Sequence, residues 1–246
     1  MATPTHVDLL EESFGNADPD HFRWQTEDPV VSREERALVR AAFEPLGERV
    51  LDLGCAEGAT LIHLDRRQNA TGLDLFPKKL AFARLQLPNV EFVEGSADKL
   101  PFPDGHFDHI LIRDVIHHIE EPSRVISECA RVLSPAGRLD ILEPNGRNPM
   151  IAAHALLNPV ERLELRSSVS YLTQILEPAF RVSKFERFQP MPVHRLAFHP
   201  RLQSLGLPAL PALAPAVKFV EAAFGRVLPR ATWAYIHVRA FKSSRP

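Results

Sequence analysis

Val50-Leu51-Asp52-Leu53-Gly54-Cys55-Ala56-Glu57-Gly58-Ala59-Thr60 decides the reading of the fold. The mostly apolar run reads as a buried β-strand, the glycines as a tight turn, and the residues that follow as the first turn of a helix. Such a unit carries backbone N–H groups and a helix N-terminus up to an anionic ligand group. A second acidic strand end, Gly72-Leu73-Asp74-Leu75, places Asp74 twenty positions after Gly54. Together they imply a cofactor with a carboxylate or phosphate at one end and a ribose at the other.

Outward from this unit, apolar segments alternate with helical ones. The pattern predicts strands at 49–53, 70–75, 90–94, 107–113 and 137–143, with helices at about 57–66, 77–87 and 121–134. Ile110-Leu111-Ile112 is continuously apolar, as expected for a strand buried on both faces of a parallel sheet. The fold class expected is therefore α/β, a doubly wound Rossmann-like sheet. Upstream, Ser32-Arg33-Glu34-Glu35 reads as a capping box opening a helix to about Phe43. Downstream, Pro144 to Pro149 is a turn-rich break. Helices are expected at about 150–164 and 168–177, a strand from Phe180 to Phe188, and a last one from Thr232 to Phe241. Between these two strands lie Pro190, Pro192, Pro200, Pro208, Pro211, Pro215 and Pro229. Proline removes an N–H and clashes with the preceding turn, so this apolar stretch is expected as a broken cap. Within it Val217, Val220, Phe224 and Val227 recur at helical spacing, the mark of a pocket cover rather than a membrane-surface helix, because no basic face accompanies them.

The composition narrows the function classes. A chain of 246 residues with a formal charge of -2 carries no clustered basic excess, which argues against a nucleic-acid partner. Two cysteines, Cys55 and Cys129, are too few for a disulfide framework or a cysteine metal cluster. The first residues lack a basic segment followed by an apolar run, and no apolar run approaches the ~20 residues of a membrane span. A cytoplasmic protein without stable membrane insertion is the expectation. The sequence leaves the oligomeric state open.

Counting from Gly54, a dinucleotide fingerprint would require glycine where Ala56 and Ala59 stand, and Glu57 would oppose a pyrophosphate. No Gly-Lys-Ser/Thr closes a P-loop. Val50–Gly58 instead resembles motif I of class I S-adenosylmethionine-dependent methyltransferases. Gly72-Leu73-Asp74, Gly95 to Phe102, Phe107-Asp108-His109-Ile110, Asp114 to Ile119 and Arg131 to Leu139 follow in that family's order. The branch it is most similar to is the small-molecule, methyltransferase type 11-like one. The resemblance implies a seven-stranded sheet with a last antiparallel strand and S-adenosyl-L-methionine as cofactor. It divides the chain into an N-terminal helical lid, 1–45, and a methyltransferase domain, 46–246. Segments 144–178 and 189–230 become substrate-side caps.

Cofactor-binding residues expected from motif and resemblance are Asp52, Gly54, Cys55, Ala56, Gly58, Asp74, Leu75, Phe76, Ala97, Asp98 and Arg113. Asp74 would accept both ribose hydroxyls, Leu75 or Phe76 would pack on adenine, and Asp98 and the Ala97 N–H would meet the adenine edge. The Arg113 carbonyl would face the methionine ammonium, with Asp52 behind it. His117, His118 and Asp114 follow the fourth strand, where the methyl should emerge, and are the catalytic candidates; a histidine near its ordinary pKa can take an acceptor's proton. Trp24, Gln25, Glu143 and His194 are the substrate-side candidates, with Arg23, Arg195 and His199 near them. No carboxylate–histidine spacing implies a metal. The expected reaction is methyl transfer to oxygen or carbon of a lipophilic small molecule such as a natural-product, quinone or lipid-like acceptor. Ala56, standing where the family has a central glycine, keeps a non-catalytic cofactor-binding module as an alternative, and N-methylation is another.

Overall fold

A computed structural model describes residues 6–199 and 211–243. Seven strands form one sheet: β1 (Val50–Leu53), β2 (Ala70–Asp74), β3 (Glu91–Glu94), β4 (Phe107–Arg113), β5 (Leu133–Pro144), β6 (Phe180–Phe188) and β7 (Tyr235–Lys242). Their order is β3-β2-β1-β4-β5-β7-β6. The first five run parallel, and β7 is antiparallel to both β5 and β6. The chain winds outward from β1 to β3, then crosses to β4 and winds the other way. The carboxyl ends of β1 and β4 therefore border the topological switch point, where sheets of this kind open a crevice.

Period-2 alternation explains why helices cover both faces. Leu51, Leu53, Ile110, Ile112, Leu139 and Ile141 enter one core, and Val50, Leu111 and Leu142 enter the other. The first core is closed by α6 (Pro122–Val132), whose Val125, Ile126, Cys129 and Val132 fall at helical spacing, and by α8 (Val169–Leu176). The second is closed by α3 (Val31–Phe43) and by Leu80 and Ala83 of α5 (Pro77–Gln86). Both cysteines are buried and free. Each fully buried leucine stabilises the fold by roughly 1.5–3 kcal/mol, so the two cores fix the strand register before any polar contact is considered.

Several expected boundaries are corrected. The helix read at 57–66 is one turn, α4 (Ala59–Ile62). Beyond it the His63 and Leu64 N–H groups reach back only three residues, to Thr60 and Leu61, which tightens and ends the turn. The helix read at 150–164 stops as α7 (Pro149–Leu157), because Pro159 disfavours helical backbone at Asn158; a 3₁₀ segment, Pro159–Arg166, continues. The capping box does not form. Asp28 Oδ1 accepts the N–H groups of Val30 and Val31 at 2.9 Å each, while Glu35 turns inward. Two further helices, α1 (His6–Phe14) and α2 (Pro19–Thr26), precede α3. The proline-rich segment is broken as expected, with α9 (Val193–Ala197) and α10 (Ala214–Val227) in its described part; Pro200 and Pro208 lie outside the described residues. Among those residues no helix is long and apolar enough to cross a membrane.

Candidate active site

A cavity of about 450 Å³ opens at the carboxyl ends of β1, β2 and β4, within the roughly 300–1,000 Å³ of small-molecule sites. Gly54, Ala56, Asp74, Leu75, Phe76, Ala97 and Asp98 line it, as do Asp114 and His118. Asp52, Cys55, Gly58, Arg113 and His117 do not. The sheet ends thus bring most of the expected cofactor residues to one wall, and α1 closes the other side with Leu10 and Phe14.

The glycine turn is built from β1 outward. The Gly54 and Cys55 N–H groups both donate to the Leu73 carbonyl, at 2.8 and 3.0 Å, tying the turn to β2. Gly54 has φ +77, and a Cβ there would clash with Val115 Cγ2, so no side chain fits. Ala56, at φ +47, keeps the left-handed conformation that glycine adopts more easily. The strain, of order 1 kcal/mol, is held by its N–H, which donates to Asp74 Oδ2 at 2.8 Å. Asp74 Oδ1 accepts the Phe76 N–H at 3.0 Å. Each carboxylate oxygen thus spends one lone pair on backbone and keeps another for a ligand hydroxyl. Burial raises the Asp74 pKa, against the pull of those two N–H groups and of Lys79. Leu75 is 45% exposed beside it, an apolar face without cover. Asp98, on the opposite rim, accepts from Ser96 Oγ at 2.5 Å.

Asp52 lies behind the turn, fully buried, with Oδ2 lacking any hydrogen-bond partner. Burial pushes its pKa up to about 7, against the positive charge of Arg113 and with the help of Asp74. An orphaned buried acceptor beside the crevice, a ribose-ready Asp74 and an uncovered apolar face are the polar and apolar partners an adenosylmethionine requires. The residues present fit that group.

The β4 end separates the three acid–base candidates. Glu143, buried in β5, accepts the N–H groups of Val115 (2.8 Å), Ile116 (2.9 Å) and His117 (3.2 Å) and His117 Nδ1 (2.7 Å). Its two oxygens are thereby committed to holding the segment after β4. Burial alone would lower the His117 pKa, but Glu143 and Glu161 overcome it and push it up to about 10. A buried imidazolium facing a carboxylate cannot take a proton near neutral pH. Asp114, at φ +54, and His118 face the cavity instead. Burial raises the Asp114 pKa, with Arg113 opposing.

The four substrate-side candidates are engaged elsewhere among the described residues. Trp24 is buried with Val30, Val31 and Phe198, Gln25 Nε2 is 2.8 Å from His21 Nε2, and His194 Nδ1 is 2.7 Å from Glu221 Oε1. Glu143 is the anchor just described. Arg23 pairs with Asp20 on the surface. Arg113 and Arg195 both converge on Glu35, which is wholly buried; the Arg195–Glu35 contact is 2.6 Å. Sequence reading missed this node, because Glu35 carries a helix-cap pattern and its partners are distant in the chain. It also missed Lys79, which lines the cavity and reaches Glu57 at 3.5 Å, and Leu10 and Phe14, whose i,i+4 apolar spacing on α1 was the available signal.

Comparison with known proteins accords with this geometry. A family profile described as Methyltransferase domain matches residues 51–141. The demethylmenaquinone methyltransferase of Chlorobaculum parvum is 34% identical over 125 residues, covering 50% of this chain and 51% of its own length. The ubiquinone biosynthesis O-methyltransferase of Dechloromonas aromatica is 28% identical over 178 residues, covering 68% and 75%. The chain spans little more than half the length of the first curated relatives it matches. Among solved structures, phosphoethanolamine N-methyltransferase 2 of Haemonchus contortus, in complex with S-adenosyl-L-methionine, superposes with a TM-score of 0.68 at 17% identity. That match covers 99% of this chain and 61% of that one, and it bears on the fold alone.

Proposed function

We propose that this chain, whose residues 51–141 match a methyltransferase-domain family model, is a class I S-adenosylmethionine-dependent methyltransferase that methylates an oxygen or carbon of a lipophilic small molecule. The observation that carries the reading is Asp74: a buried carboxylate at the end of β2, in the cavity wall, locked to the glycine turn and still able to accept from two hydroxyls. When bound, the cofactor supplies an electrophilic sulfonium methyl. The chain's own work is orientation and exclusion of water. Asp74 holds the ribose, Leu75 and Phe76 pack on the adenine, and Asp98 meets its edge. Asp52, buried behind the turn, favours the ammonium through its charge. Glu143 fixes the segment after β4 so that Asp114 and His118 stand where the acceptor approaches, with Asp114 placed to receive its proton. The quinone-pathway names of the relatives support a quinone-type acceptor, as does the apolar α1 wall of Leu10 and Phe14.

Two measurements test this. Calorimetric titration with S-adenosylhomocysteine should give saturable binding that Asp74→Ala and Asp74→Asn weaken by ten- to a hundredfold, as expected for loss of charge-assisted hydrogen bonds of about 1.5–3 kcal/mol. Unchanged affinity in both would refute the assignment. Methyl-labelled cofactor incubated with quinone and phenol acceptors should yield a labelled, extractable product. Binding without transfer across the acceptor series would favour the non-catalytic module.

A further inference from the structure

Beside the cofactor wall the fold brings together His117, His118 and Glu161. Each offers one ligand-type atom, and these atoms all lie within 4.8 Å of one another. Glu161 Oε2 is 3.5 Å from His117 Nε2 and 3.8 Å from His118 Nε2. That oxygen is buried and makes no hydrogen bond. Such separations exceed the roughly 2.7–2.9 Å of a charge-assisted hydrogen bond. They approach the spacing of two ligands on one tetrahedral metal, about 3.3–3.5 Å for bond lengths near 2.0–2.2 Å.

Three further features point the same way. His117 Nδ1 is bonded to Glu143 at 2.7 Å, which fixes the ring and turns Nε2 toward Glu161. Metal-ligating histidines characteristically give their other nitrogen to a carboxylate in this manner. Glu143 is itself held by three backbone N–H groups, so the orientation is rigid. His118 lines the cavity, which puts the cluster at its wall rather than in the core. Two imidazoles and one carboxylate make a donor set suited to a borderline divalent ion, with a coordination position to spare. The expectation of no metal followed from local spacing alone; Glu161 arrives from the 3₁₀ segment far downstream.

We infer that His117, His118 and Glu161 form a three-ligand site for a divalent cation of the Zn²⁺ type, open toward the cavity, where an oxygen of the acceptor completes the coordination. The metal site stands on its own geometry; the acceptor oxygen rests on the methyltransferase reading. The competing account is a metal-free imidazolium–carboxylate network.

The full chain, stripped with chelator, is titrated with Co²⁺ and followed by visible absorption. One equivalent should saturate a band of low-symmetry Co²⁺, and Zn²⁺ should displace it. Glu161→Ala and His118→Ala should each weaken Co²⁺ binding at least tenfold. Absence of stoichiometric Co²⁺ binding, or unchanged affinity in either variant, overturns the site. S-adenosylhomocysteine titration of Glu161→Ala runs in parallel: retained binding shows that the variant is folded, and Glu161→Gln replaces it if it is not. Loss of cofactor binding by the unsubstituted chain would sink the methyltransferase reading. Cofactor binding without Co²⁺ binding would sink only the metal.

Discussion

At residue scale the site rests on conformations and charges that the chain holds against their preferences. Ala56 adopts φ +47 because Asp74 binds its N–H. Ala56→Gly relieves the left-handed strain, of order 1 kcal/mol, but adds about as much unfolded-state entropy. Denaturant melts should therefore shift by less than about 1 kcal/mol, with cofactor affinity unchanged within about threefold. A tenfold gain in affinity would show that the alanine distorts the turn. Asp52 gives a pH-dependent consequence. Burial holds its pKa at about 7, so about half the apo molecules carry a proton there at pH 7. A cationic ammonium placed beside it draws that pKa down, and binding near pH 7 should release up to roughly half a proton. Calorimetry in buffers of different ionisation enthalpy reads the release, and Asp52→Asn should abolish it. A folded pKa raised above the unfolded value means stability present at low pH and lost as pH rises through 7. Asp52→Asn should accordingly make the apo protein more stable than the original above pH 7.

At the scale of elements, Glu35 joins α3 to β4 and α9 through Arg113 and Arg195. Burial pushes its carboxyl up, but Arg195 and Arg113 outweigh that and hold it at about 2. Glu35→Gln leaves two buried guanidiniums short of their counter-charge, and should cost about 3–5 kcal/mol by chemical denaturation at pH 7. A depressed carboxylate stabilises above its unfolded pKa, near 4.5, and loses that contribution as pH falls toward 2. The gap between the two proteins should narrow across that interval; a pH-independent gap would mean the loss is packing rather than charge. The same element scale marks what could be read from sequence. β1, β2 and β4 were legible because their apolar runs and glycine breaks are local. Asp74, Asp98 and His118 were legible because they follow strand ends. The anchoring role of Glu143, the pairing of Glu35 and the approach of Glu161 to the histidines were not, since each depends on a partner that only the closed sheet supplies. The 57–66 helix was misread because helical propensity says nothing of where a glycine turn ends.

For the whole molecule, the cavity is shared between the sheet and the N-terminal segment. Leu10 and Phe14 face it, the Phe14 ring lies 5.2 Å from that of His118, and Glu57 accepts the Asp18 N–H at 3.0 Å. If α1 acts as a lid, S-adenosylhomocysteine should slow amide exchange in 6–26 as well as in the β1, β2 and β4 ends, as followed by mass spectrometry. Protection confined to the sheet would remove the lid role. The Glu35 node also sets an order of events during synthesis. Glu35 leaves the ribosome 160 residues before Arg195, which at 5–20 residues per second is roughly 8–30 s. Through that interval the carboxylate can meet Arg113 but lacks its second cation, so α3 docks first on a half-neutralised contact. The seam between α3 and α9 becomes electrostatically complete only after Arg195 has emerged, so it stays open to a nascent-chain protease long after the β1–β4 half of the sheet has been synthesised.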